Sequence, residues 1–413
     1  MKTSQVSEFK ETEIRNLITT IIDHRGKTPK KLGGDWIYYG IPVISAKNIK
    51  NKKLSRFEEI RFITKEMSDK WMPIKLEKND VLMTSEGATL GEVAILKQKK
   101  DYCIGQRLFA IRCNPKLLDP HYLYYYLISQ KGQNEIFTKA TGSTVEGLRQ
   151  YEVENIVINL PSIEIQKKIG KILSTLDYQA ELLKKQNKIL EKIIQSTFKS
   201  WFVDFDGQTE FVDSELGQIP KGWKVNKIHD VLCVKTGGTP SKNNEKYWKS
   251  GTIPWIGSAR TKNLRIIEYD EMITDEGKQN SSTILIPKRT TVLAIIGNTI
   301  GEVSLTEIDC CINQNIAAII GTKDIPSEYI YPYIKNKIFD IMSWMSGGAQ
   351  ASLNQNSIKQ TNIILPDQKS IKHYFVIVKP IYDKISFNLF TIKTLSQIRD
   401  SLLPKLMSGE IQV

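Results

Sequence analysis

The 413-residue sequence lacks any long hydrophobic run, since no apolar stretch reaches the length of about eighteen residues that a membrane-spanning helix needs. The opening stretch, MKTSQVSEFKETE, also lacks the apolar core of a secretory signal peptide. Hydrophobic residues make up 40% of the chain and charged residues 25%, as in ordinary globular proteins. We therefore predict a cytoplasmic protein with two or three folded domains.

Cysteine and histidine are scarce, and their spacing matches no metal site. The five cysteines include no Cys-x-x-Cys pair, and the four histidines are scattered along the chain. This pattern disfavours both a zinc site and a disulfide framework. We predict that the cysteines are small buried apolar residues, namely Cys103, Cys113, Cys233, Cys310 and Cys311.

Catalytic motifs are missing as well. The stretch HRGKTP (24–29) ends like a phosphate-binding loop, but Ile21 stands where the first glycine is needed and Pro29 blocks the following helix. The sequence has no dinucleotide fingerprint, no Asn-Pro-Pro-aromatic motif of an amino-methyltransferase, no serine elbow and no His-Glu-x-x-His motif. Asp367, close to Lys369, is too isolated to suggest a metal-dependent nuclease. We predict a chain without catalytic activity that binds no metal or cofactor itself.

Positive charge, in contrast, is in excess. Lysine and arginine number 58 against 45 aspartates and glutamates, which gives a formal net charge of +13. A basic protein attracts polyanions, because each phosphate that it neutralises releases condensed counterions. The charge favours a nucleic-acid partner, and the alternative is a lysine-rich composition without such a partner.

The chain contains one internal repeat at a spacing of just over two hundred residues. The matching blocks are Thr28-Pro29 with Thr239-Pro240, GIPVISAKNI (40–49) with TIPWIGSARTKN (252–263), DVLMTSEGATLGEVAIL (80–96) with TVLAIIGNTIGEVSL (291–305), CIGQRLFAI (103–111) with CINQNIAAI (311–319), HYLYYYL (121–127) with EYIYPYI (328–334), and VINLP (157–161) with NIILP (362–366). Because the blocks keep the same order, they predict two copies of one fold.

Each copy begins with a module of about 150 residues. Short apolar runs such as GIPVIS, DVLMTS, EVAIL and LFAIRC have the length of strands, and turn-forming residues separate them. The stretch PHYLYYYLISQKGQNEIF (120–137) predicts a helix. We therefore predict a compact α/β module in each copy.

A long helix is predicted after each module, beginning near Pro161 and near Pro366. Its apolar residues recur close to every 3.5 positions, which predicts a coiled-coil seam and a rod of roughly 60 Å. We expect the two helices to pair antiparallel, with the modules at opposite ends and an approximate two-fold axis within the chain. Asn187 and Asn388 fall near the seam, where they would fix its register, or just off it, where they would face water.

An aromatic stretch, STFKSWFVDFDG (196–207), ends the first long helix. Its rings are expected to wedge the helix end against the module edges, and a docking surface for a partner subunit is the alternative. The residues predicted to form the helix pair and its junctions are Leu176, Leu183, Leu190, Trp201, Phe202, Ile385, Ile392, Leu395 and Leu402.

Five loops in each module are rich in side chains that contact phosphates and base edges. Arginine and lysine suit guanine, and asparagine and glutamine suit adenine. The candidate DNA contacts of the first module are Arg25, Lys27, Thr28, Lys47, Asn48, Ser85, Thr89, Gln106, Arg107, Ser143, Thr144 and Arg149. Those of the second are Lys235, Thr236, Thr239, Ser241, Lys242, Ser258, Arg260, Lys262, Asn298, Thr299, Gln314, Asn315, Gln350, Asn354 and Gln355. Any one of them alone is better explained by an ordinary turn, and it is the set of five matching polar loops on a basic protein that favours DNA contact.

Three blocks resemble one protein family. SELGQIPKGWKV (214–225), KSWFVDFDG (199–207) and LLPKLMSGEI (402–411), together with the two modules and long helices, resemble the specificity subunit of a type I restriction–modification system. The resemblance covers essentially the whole chain. The start of the first module departs from it, because it lacks the Pro-x-Gly-Trp found in the second.

The resemblance implies a fold of two globular α/β target recognition domains, separated by a pair of long antiparallel coiled-coil helices with a pseudo-two-fold repeat. It implies recognition domains at 1–160 and 207–366, a central helix at 161–206 and a C-terminal helix and tail at 367–413.

The resemblance also implies a function. Each domain would read one half of a split, asymmetric double-stranded DNA target, and the helices would set the spacer. The chain would recruit two methyltransferase subunits and the restriction (motor–nuclease) subunits, and S-adenosylmethionine, ATP and magnesium would bind those partners. The alternative function is a stand-alone DNA-binding regulator, or an adapter of another defence system.

Overall fold

The computed structural model describes residues 9–24, 26–142, 146–343 and 352–413. They divide into two compact units. The first comprises the chain up to Glu181 together with Thr394–Val413, and the second comprises Leu182–Lys393. Within the described ranges, no helix combines the length and apolar character that crossing a membrane requires.

The first unit contains short strands and helices in α/β order. Its strands are β1 (Lys10–Glu13), β2 (Ile18–Asp23), β3 (Ile41–Ile44), β4 (Ile49–Lys50), β5 (Lys53–Leu54), β6 (Arg61–Ile63), β7 (Val81–Thr84), β8 (Val93–Ile95), β9 (Cys103–Ile104), β10 (Leu108–Cys113) and β11 (Val157–Leu160). Its helices are α1 (Lys65–Trp71), α2 (Pro120–Ile128), α3 (Gln130–Lys139), α4 (Gln150–Glu154) and the first part of α5 (Ile163–Phe202).

Two sheets organise this unit. One is antiparallel, in the order β2-β10-β7-β8, and the other has the order β6-β3-β9, with β3 parallel to β9. Strand β1 pairs with β11, and β4 pairs with β5. The strands predicted from GIPVIS, DVLMTS, EVAIL and LFAIRC are confirmed as β3, β7, β8 and β10.

The central strands of the first unit are buried on both faces. Successive side chains of a strand point to opposite faces, so Val81 and Met83 pack into one apolar cluster and Leu82 packs into another. On β10, Phe109 packs into the same cluster as Val81 and Met83, and Leu108 packs into the cluster of Leu82. This two-sided burial explains why these strands are continuous apolar runs without polar alternation.

The second unit repeats this plan. Its strands are β12 (Phe211–Ser214), β13 (Gly217–Pro220), β14 (Lys224–Lys227), β15 (Cys233–Thr236), β16 (Ile253–Ile256), β17 (Arg265–Ile266), β18 (Glu271–Ile273), β19 (Ile284–Ile286), β20 (Thr291–Ala294), β21 (Val303–Thr306), β22 (Cys310–Ile312), β23 (Ile316–Ile320) and β24 (Asn362–Leu365). Its helices are α6 (Ile228–Val231), α7 (Asp275–Gln279), α8 (Ser327–Asn336), α9 (Ile338–Met342), α10 (Gln355–Gln360) and most of α11 (Gln368–Ser408).

The main sheet of the second unit has the order β15-β23-β20-β21-β17, and a second sheet has the order β18-β16-β22-β19. Strand β14 pairs with β24, just as β1 pairs with β11. Four of the five cysteines are buried, as predicted, but the prediction for Cys233 is wrong. Cys233 begins the edge strand β15, and its side chain lies on the exposed face.

The helix predicted over 120–137 is interrupted, because α2 ends at Ile128 and α3 begins at Gln130. Ser129, in an extended conformation between them, caps α3 by accepting the N–H of Gly132 at 3.2 Å. A Cβ atom at Gly132 would lie 2.0 Å from the carbonyl oxygen of Tyr126, so only glycine allows this close turn. The apolar pattern continued through the break, which is why the sequence predicted a single helix.

The repeat extends to individual hydrogen bonds made by tyrosines of α2 and α8. Tyr126 donates its hydroxyl proton to the carbonyl of Val157 on β11 at 3.0 Å. Its counterpart, Tyr333, donates to the carbonyl of Asn362 on β24 at 3.1 Å. In each unit a buried tyrosine therefore fixes the strand that leads into a long helix, which accounts for the repeated HYLYYYL and EYIYPYI blocks.

Both predicted long helices are confirmed, α5 with 40 residues and α11 with 41. Asp367 precedes α11, and its carboxylate accepts the backbone N–H groups of Lys369 and Ser370, both at 2.9 Å. Asp367 thus satisfies donors that the helix leaves free at its start. This structural role explains why it stands alone in the sequence.

Candidate nucleic-acid interface

In the first unit, the polar loops meet around the turn at residues 105–107, which joins β9 to β10. Gly105 donates its N–H to the carbonyl of Ile44, where the loop containing Lys47 begins, at 2.7 Å. The side chain of Gln106 donates to the carbonyl of Lys27, in the early loop, at 2.9 Å. Three loops that are distant in the sequence are therefore joined at one turn.

Two further loops attach at Arg107 of the same turn. Its carbonyl accepts the N–H of Ser85 at 3.0 Å, and its guanidinium pairs with Glu86 at 2.7 Å. The carbonyl of Ser85 in turn accepts the N–H of Leu148 at 2.8 Å, which anchors the polar stretch before α4. The five candidate loops of the first unit are thus joined to one another at the same end of its strands.

The second unit builds the same arrangement around residues 313–315, which join β22 to β23. Asn313 donates its N–H to Ile256 at 3.1 Å, and the hydroxyl of Thr239 donates to the side chain of Gln314 at 2.6 Å. The carbonyl of Asn315 accepts the N–H of Ile295 at 2.9 Å.

The fifth loop of the second unit completes the match. Ile295 accepts the N–H of Leu353 at 2.9 Å, as Ser85 accepts that of Leu148. Sequence reasoning missed Asn313 as an organising residue: its buried side chain accepts the N–H of Asn315 at 3.1 Å and shapes the turn. The block CINQN contained the signal, because asparagine commonly bonds the backbone two residues onward in a turn.

The candidate residues differ in accessibility. The exposed ones are Lys47, Arg107, Arg149, Lys235, Ser241, Lys242, Lys262, Asn298, Gln314 and Asn354. The half-buried ones are Lys27, Thr28, Thr89, Gln106, Thr236, Thr239, Ser258, Arg260, Asn315 and Gln355. Arg25, Ser143, Thr144 and Gln350 lie outside the described residues. The exposed set contains the side chains that reach solvent in this conformation, although two of its members already have an ionic partner: Arg107 pairs with Glu86, and Lys242 pairs with Glu271.

Three candidates lie inside the fold instead, which corrects their placement on the surface. Asn48 is 1% exposed, and its amide accepts from Ser45 and donates to the carbonyl of Arg56 at 2.8 Å. Ser85 and Thr299 are also buried, one in the glycine loop of each unit, at positions that do not correspond in the repeat. Only Asn48 bonds the local backbone in this way, because the hydroxyls of Ser85 and Thr299 are buried without a hydrogen-bond partner among the described residues. The sequence alone did not separate these buried positions from surface positions.

Arg260 and Lys242 are held by their own unit. The guanidinium of Arg260 bonds Asp270 at 2.7 Å and Glu268 at 2.9 Å. The ammonium of Lys242 lies 3.3 Å from the centre of the Trp248 ring and pairs with Glu271. These two cations would have to leave existing partners before contacting a phosphate, so they are weaker candidates than Lys262 or Lys235.

The two asparagines of the helix pair are buried, which decides between their predicted roles. In the second unit, the side chain of Asn388 donates to that of Asn187 at 2.7 Å, and Asn187 donates to the carbonyl of Ile385 at 3.3 Å. Asn388 is fully buried and Asn187 is 8% exposed. They face each other across the seam, and neither faces water.

The residues predicted to form the helix pair and its junctions differ in burial. Phe202, Ile385 and Ile392 are buried. The half-buried ones are Leu176, Leu183, Leu190, Trp201, Leu395 and Leu402. Leu173, Ala180, Asn187 and Ile194 form the most buried row of α5, at intervals of seven residues. The predicted leucines flank this row.

The aromatic stretch at the end of α5 lies in the core of the second unit. The Phe202 ring centre is 4.9 Å from those of Tyr329 and Tyr374, and 5.7 Å from that of Trp223. Trp201 is half-buried against His373, with ring centres 5.1 Å apart. These contacts are the predicted wedge between helix end and module. Trp201, Trp223 and His373 also line a cavity of about 450 Å³.

Known proteins show the same sequence pattern and fold. The sequence model of the family described as Type I restriction modification DNA specificity domain matches residues 6–192 and again 220–395. The MjaIX specificity subunit of Methanocaldococcus jannaschii, a type I restriction enzyme component, is 30% identical over 427 residues, covering 98% of this chain and 97% of that one. The HindI specificity subunit of Haemophilus influenzae is 25% identical, covering 81% of this chain and 87% of the relative.

A solved structure gives the same fold. The S subunit of a type I restriction–modification system from M. genitalium aligns over 98% of both chains with a TM-score of 0.64 at 18% identity. The predicted class, two repeated α/β domains with long helices, is confirmed by this likeness and by the twofold match to the family model.

Proposed function

Because this chain belongs to the type I restriction–modification DNA specificity family and is a specificity subunit with two target recognition domains, we propose that each domain reads one half of a split, asymmetric DNA target. One observation carries this proposal. In each unit, four polar loops are joined, directly or through a neighbouring loop, to a fifth, the turn at 105–107 or at 313–315. Convergence brings together side chains that could cover several adjacent base pairs.

The two turns carry different chemistry on matching backbones. Gln106 and Arg107 in the first unit correspond to Gln314 and Asn315 in the second. Arginine pairs best with guanine, and asparagine or glutamine with adenine. The two domains should therefore prefer different half-sites, which makes the full target asymmetric. Exposed lysines such as Lys47 and Lys262 would contact phosphates and position the domains.

The long helices are proposed to set the spacer between the half-sites. Half-sites on one face of the duplex are about one helical turn apart, roughly 34–36 Å, or a multiple of it. A helix of about forty residues extends roughly 60 Å, which is long enough to define such a distance. The buried Asn187–Asn388 pair supports a single register for the helices.

We also propose that the chain acts with partners. It would recruit two methyltransferase subunits, which bind S-adenosylmethionine, and restriction subunits, which use ATP and magnesium. The names of its relatives as specificity subunits of restriction enzymes support this division of labour. This chain would supply the recognition of DNA, and its partners would supply the chemistry.

The direct test is sequencing of host DNA for modified bases. We expect adenine methylation at a split motif with one fixed gap, and loss of the mark when this gene is deleted while the methyltransferase gene is kept. Persistence of the mark in the deletion strain would contradict the role in specificity.

Two controls separate this function from other classes. A stand-alone regulator would bind its DNA site tightly and co-purify with no methyltransferase. An enzyme would methylate DNA as the purified chain alone, when supplied with S-adenosylmethionine.

A further inference from the structure

The most exposed aromatic side chains of the first unit are two neighbouring tyrosines. Tyr38 is 92% exposed and Tyr39 is 88% exposed. In the part of the chain that the structure describes, Phe339 is the only other large apolar or aromatic side chain that is more than four-fifths exposed. Single exposed apolar residues are common on proteins, but two adjacent and almost fully solvated rings are not.

The backbone that presents these rings is held on both sides. Ile37 donates its N–H to the carbonyl of Phe62 on β6 at 2.9 Å. Gly40 lies so close to β6 that a Cβ atom there would be 2.4 Å from the carbonyl oxygen of Ile63. Between these anchors, residues 38–40 form a bend that projects both rings into solvent. The fold therefore fixes the conformation of this segment, because only glycine at position 40 allows the close approach to β6.

Contacts connect this bend to the turn at 105–107. Gln106 bonds the carbonyl of Lys27, and the ammonium of Lys27 reaches the carbonyl of Trp71 at 3.5 Å. The Trp71 ring packs against that of Trp36 at 6.1 Å between centres, two residues before Tyr38. The buried Trp71 therefore links the early loop to the segment that carries the two tyrosines.

The surroundings of the bend are basic. Residues 24–40, HRGKTPKKLGGDWIYYG, contain four lysines and arginines against one aspartate. Lys30 and Lys31 are both exposed, and the guanidinium of Arg61 lies 3.9 Å from the centre of the Trp36 ring. Exposed aromatic rings among cations suit a polyanion that also offers flat or apolar surfaces, which describes DNA better than it describes a protein surface.

We propose that Tyr38 and Tyr39 contact the DNA beside the first half-site, by packing their rings against sugars and base edges or between base pairs. This inference rests on the proposed function. The repeat aligns the two tyrosines with Ser250 and Gly251 in the second unit, so the contact belongs to the first half-site alone. Uncharged rings contribute affinity without releasing counterions, whereas Lys30 and Lys31 contribute through phosphates.

The test measures the affinity of the full-length chain, with any subunits that co-purify, for a duplex carrying the methylated motif and for a scrambled duplex. Fluorescence anisotropy is recorded over a range of salt concentrations. We expect Tyr38→Ala/Tyr39→Ala to weaken binding roughly tenfold without changing the slope of log K against log salt. Lys30→Ala/Lys31→Ala should instead flatten that slope.

Two matched variants serve as controls. Tyr38→Phe/Tyr39→Phe keeps both rings and should bind as the wild type does. Tyr178→Ala removes a tyrosine that is 61% exposed on α5 and should leave DNA affinity unchanged.

Wild-type affinity of the double alanine variant would overturn the proposal. If the double alanine variant kept its DNA affinity but no longer co-purified with a subunit, the proposal would also be overturned. That result would show that Tyr38 and Tyr39 form a docking site for a protein. If the wild-type chain itself bound the motif and the scrambled duplex equally well, the proposed function would fail, a result independent of the tyrosine variants.

Discussion

At the scale of single residues, burial decides what His24 can do. It directly precedes the early loop, is 7% exposed, and neither ring nitrogen has a hydrogen-bond partner among the described residues. Burial, with the nearby charge of Lys27, lowers the pKa of His24 to about 4. The imidazole is therefore neutral at physiological pH and acts as part of the core beneath the loop.

This shift of pKa predicts how the stability of the first unit depends on pH. Above about pH 6.5 the imidazole is neutral in both the folded and the unfolded chain. As the pH falls toward 4, only the unfolded chain takes up the proton, so the free energy of unfolding decreases. Between about pH 7.5 and about pH 5 we expect a loss on the order of 2 kcal/mol from His24.

Urea unfolding of wild type and His24→Leu at several pH values measures this contribution. The variant should lose that part of the pH dependence, and His229→Gln, which changes a partly exposed histidine of the second unit, should keep it. Equal pH dependence in His24→Leu and wild type would show that His24 is not the titrating group.

At the scale of secondary-structure elements, the helix pair of the second unit combines an apolar seam with one buried amide pair. Ile194 and Ile385 are almost completely buried near Asn187 and Asn388. A buried polar pair lowers stability relative to apolar residues but disfavours other registers, because a shifted register would leave the amides without partners.

This arrangement predicts strong coupling between Asn187 and Asn388. Asn187→Leu alone should destabilise the second unit by about 1–3 kcal/mol, because the buried amide of Asn388 loses one of its two acceptors and keeps only Gln186. The double variant Asn187→Leu/Asn388→Leu should be more stable than the single variant, since it also removes the buried, partly unsatisfied amide of Asn388. A double-mutant cycle in urea measures the coupling.

Gln195→Leu, at an exposed position of α5, is the control and should change stability by less than about 0.5 kcal/mol. Additive effects of the two asparagine substitutions, with no coupling energy, would be inconsistent with a register-setting pair.

At the scale of the whole molecule, the repeat makes the recognition domains separable. The candidate DNA contacts of the second unit lie within 235–355, and the hydrogen bonds that join its loops in the described part of the chain stay within that unit. A domain whose loops are held only by contacts within the domain should keep its preferred DNA half-site when it is moved to another chain.

Replacing residues 211–366 with the matching segment of another specificity subunit should therefore change only one half of the methylated motif. The gap should stay the same, because α5 and α11 are retained. Sequencing of modified bases in the host reports both outcomes. A change in both half-sites would contradict the assignment of one domain to each half.

Much of this organisation was predictable from the order of residues alone. The six repeated blocks predicted two copies of one α/β fold, and the heptad spacing predicted both long helices, because periodicity and repetition are properties of the linear sequence. Net charge, the repeat and the blocks GQIPKGW and SWFVDF together pointed to a DNA specificity subunit.

Tertiary structure decided what each side chain is free to do. In the sequence, Asn48 and Arg107 look equally suited to contact DNA. In the structure, Asn48 is buried and its side chain makes the hydrogen bonds that shape its own turn, whereas Arg107 is exposed. Tertiary structure also decided the role of Ser129, which separates two helices although the apolar pattern of the sequence continues through it. It decided the role of Asn187 as well, because the hydrogen-bond partner of Asn187 lies 201 residues away. Burial and hydrogen bonding depend on residues distant in the sequence, so only the folded chain could separate these roles.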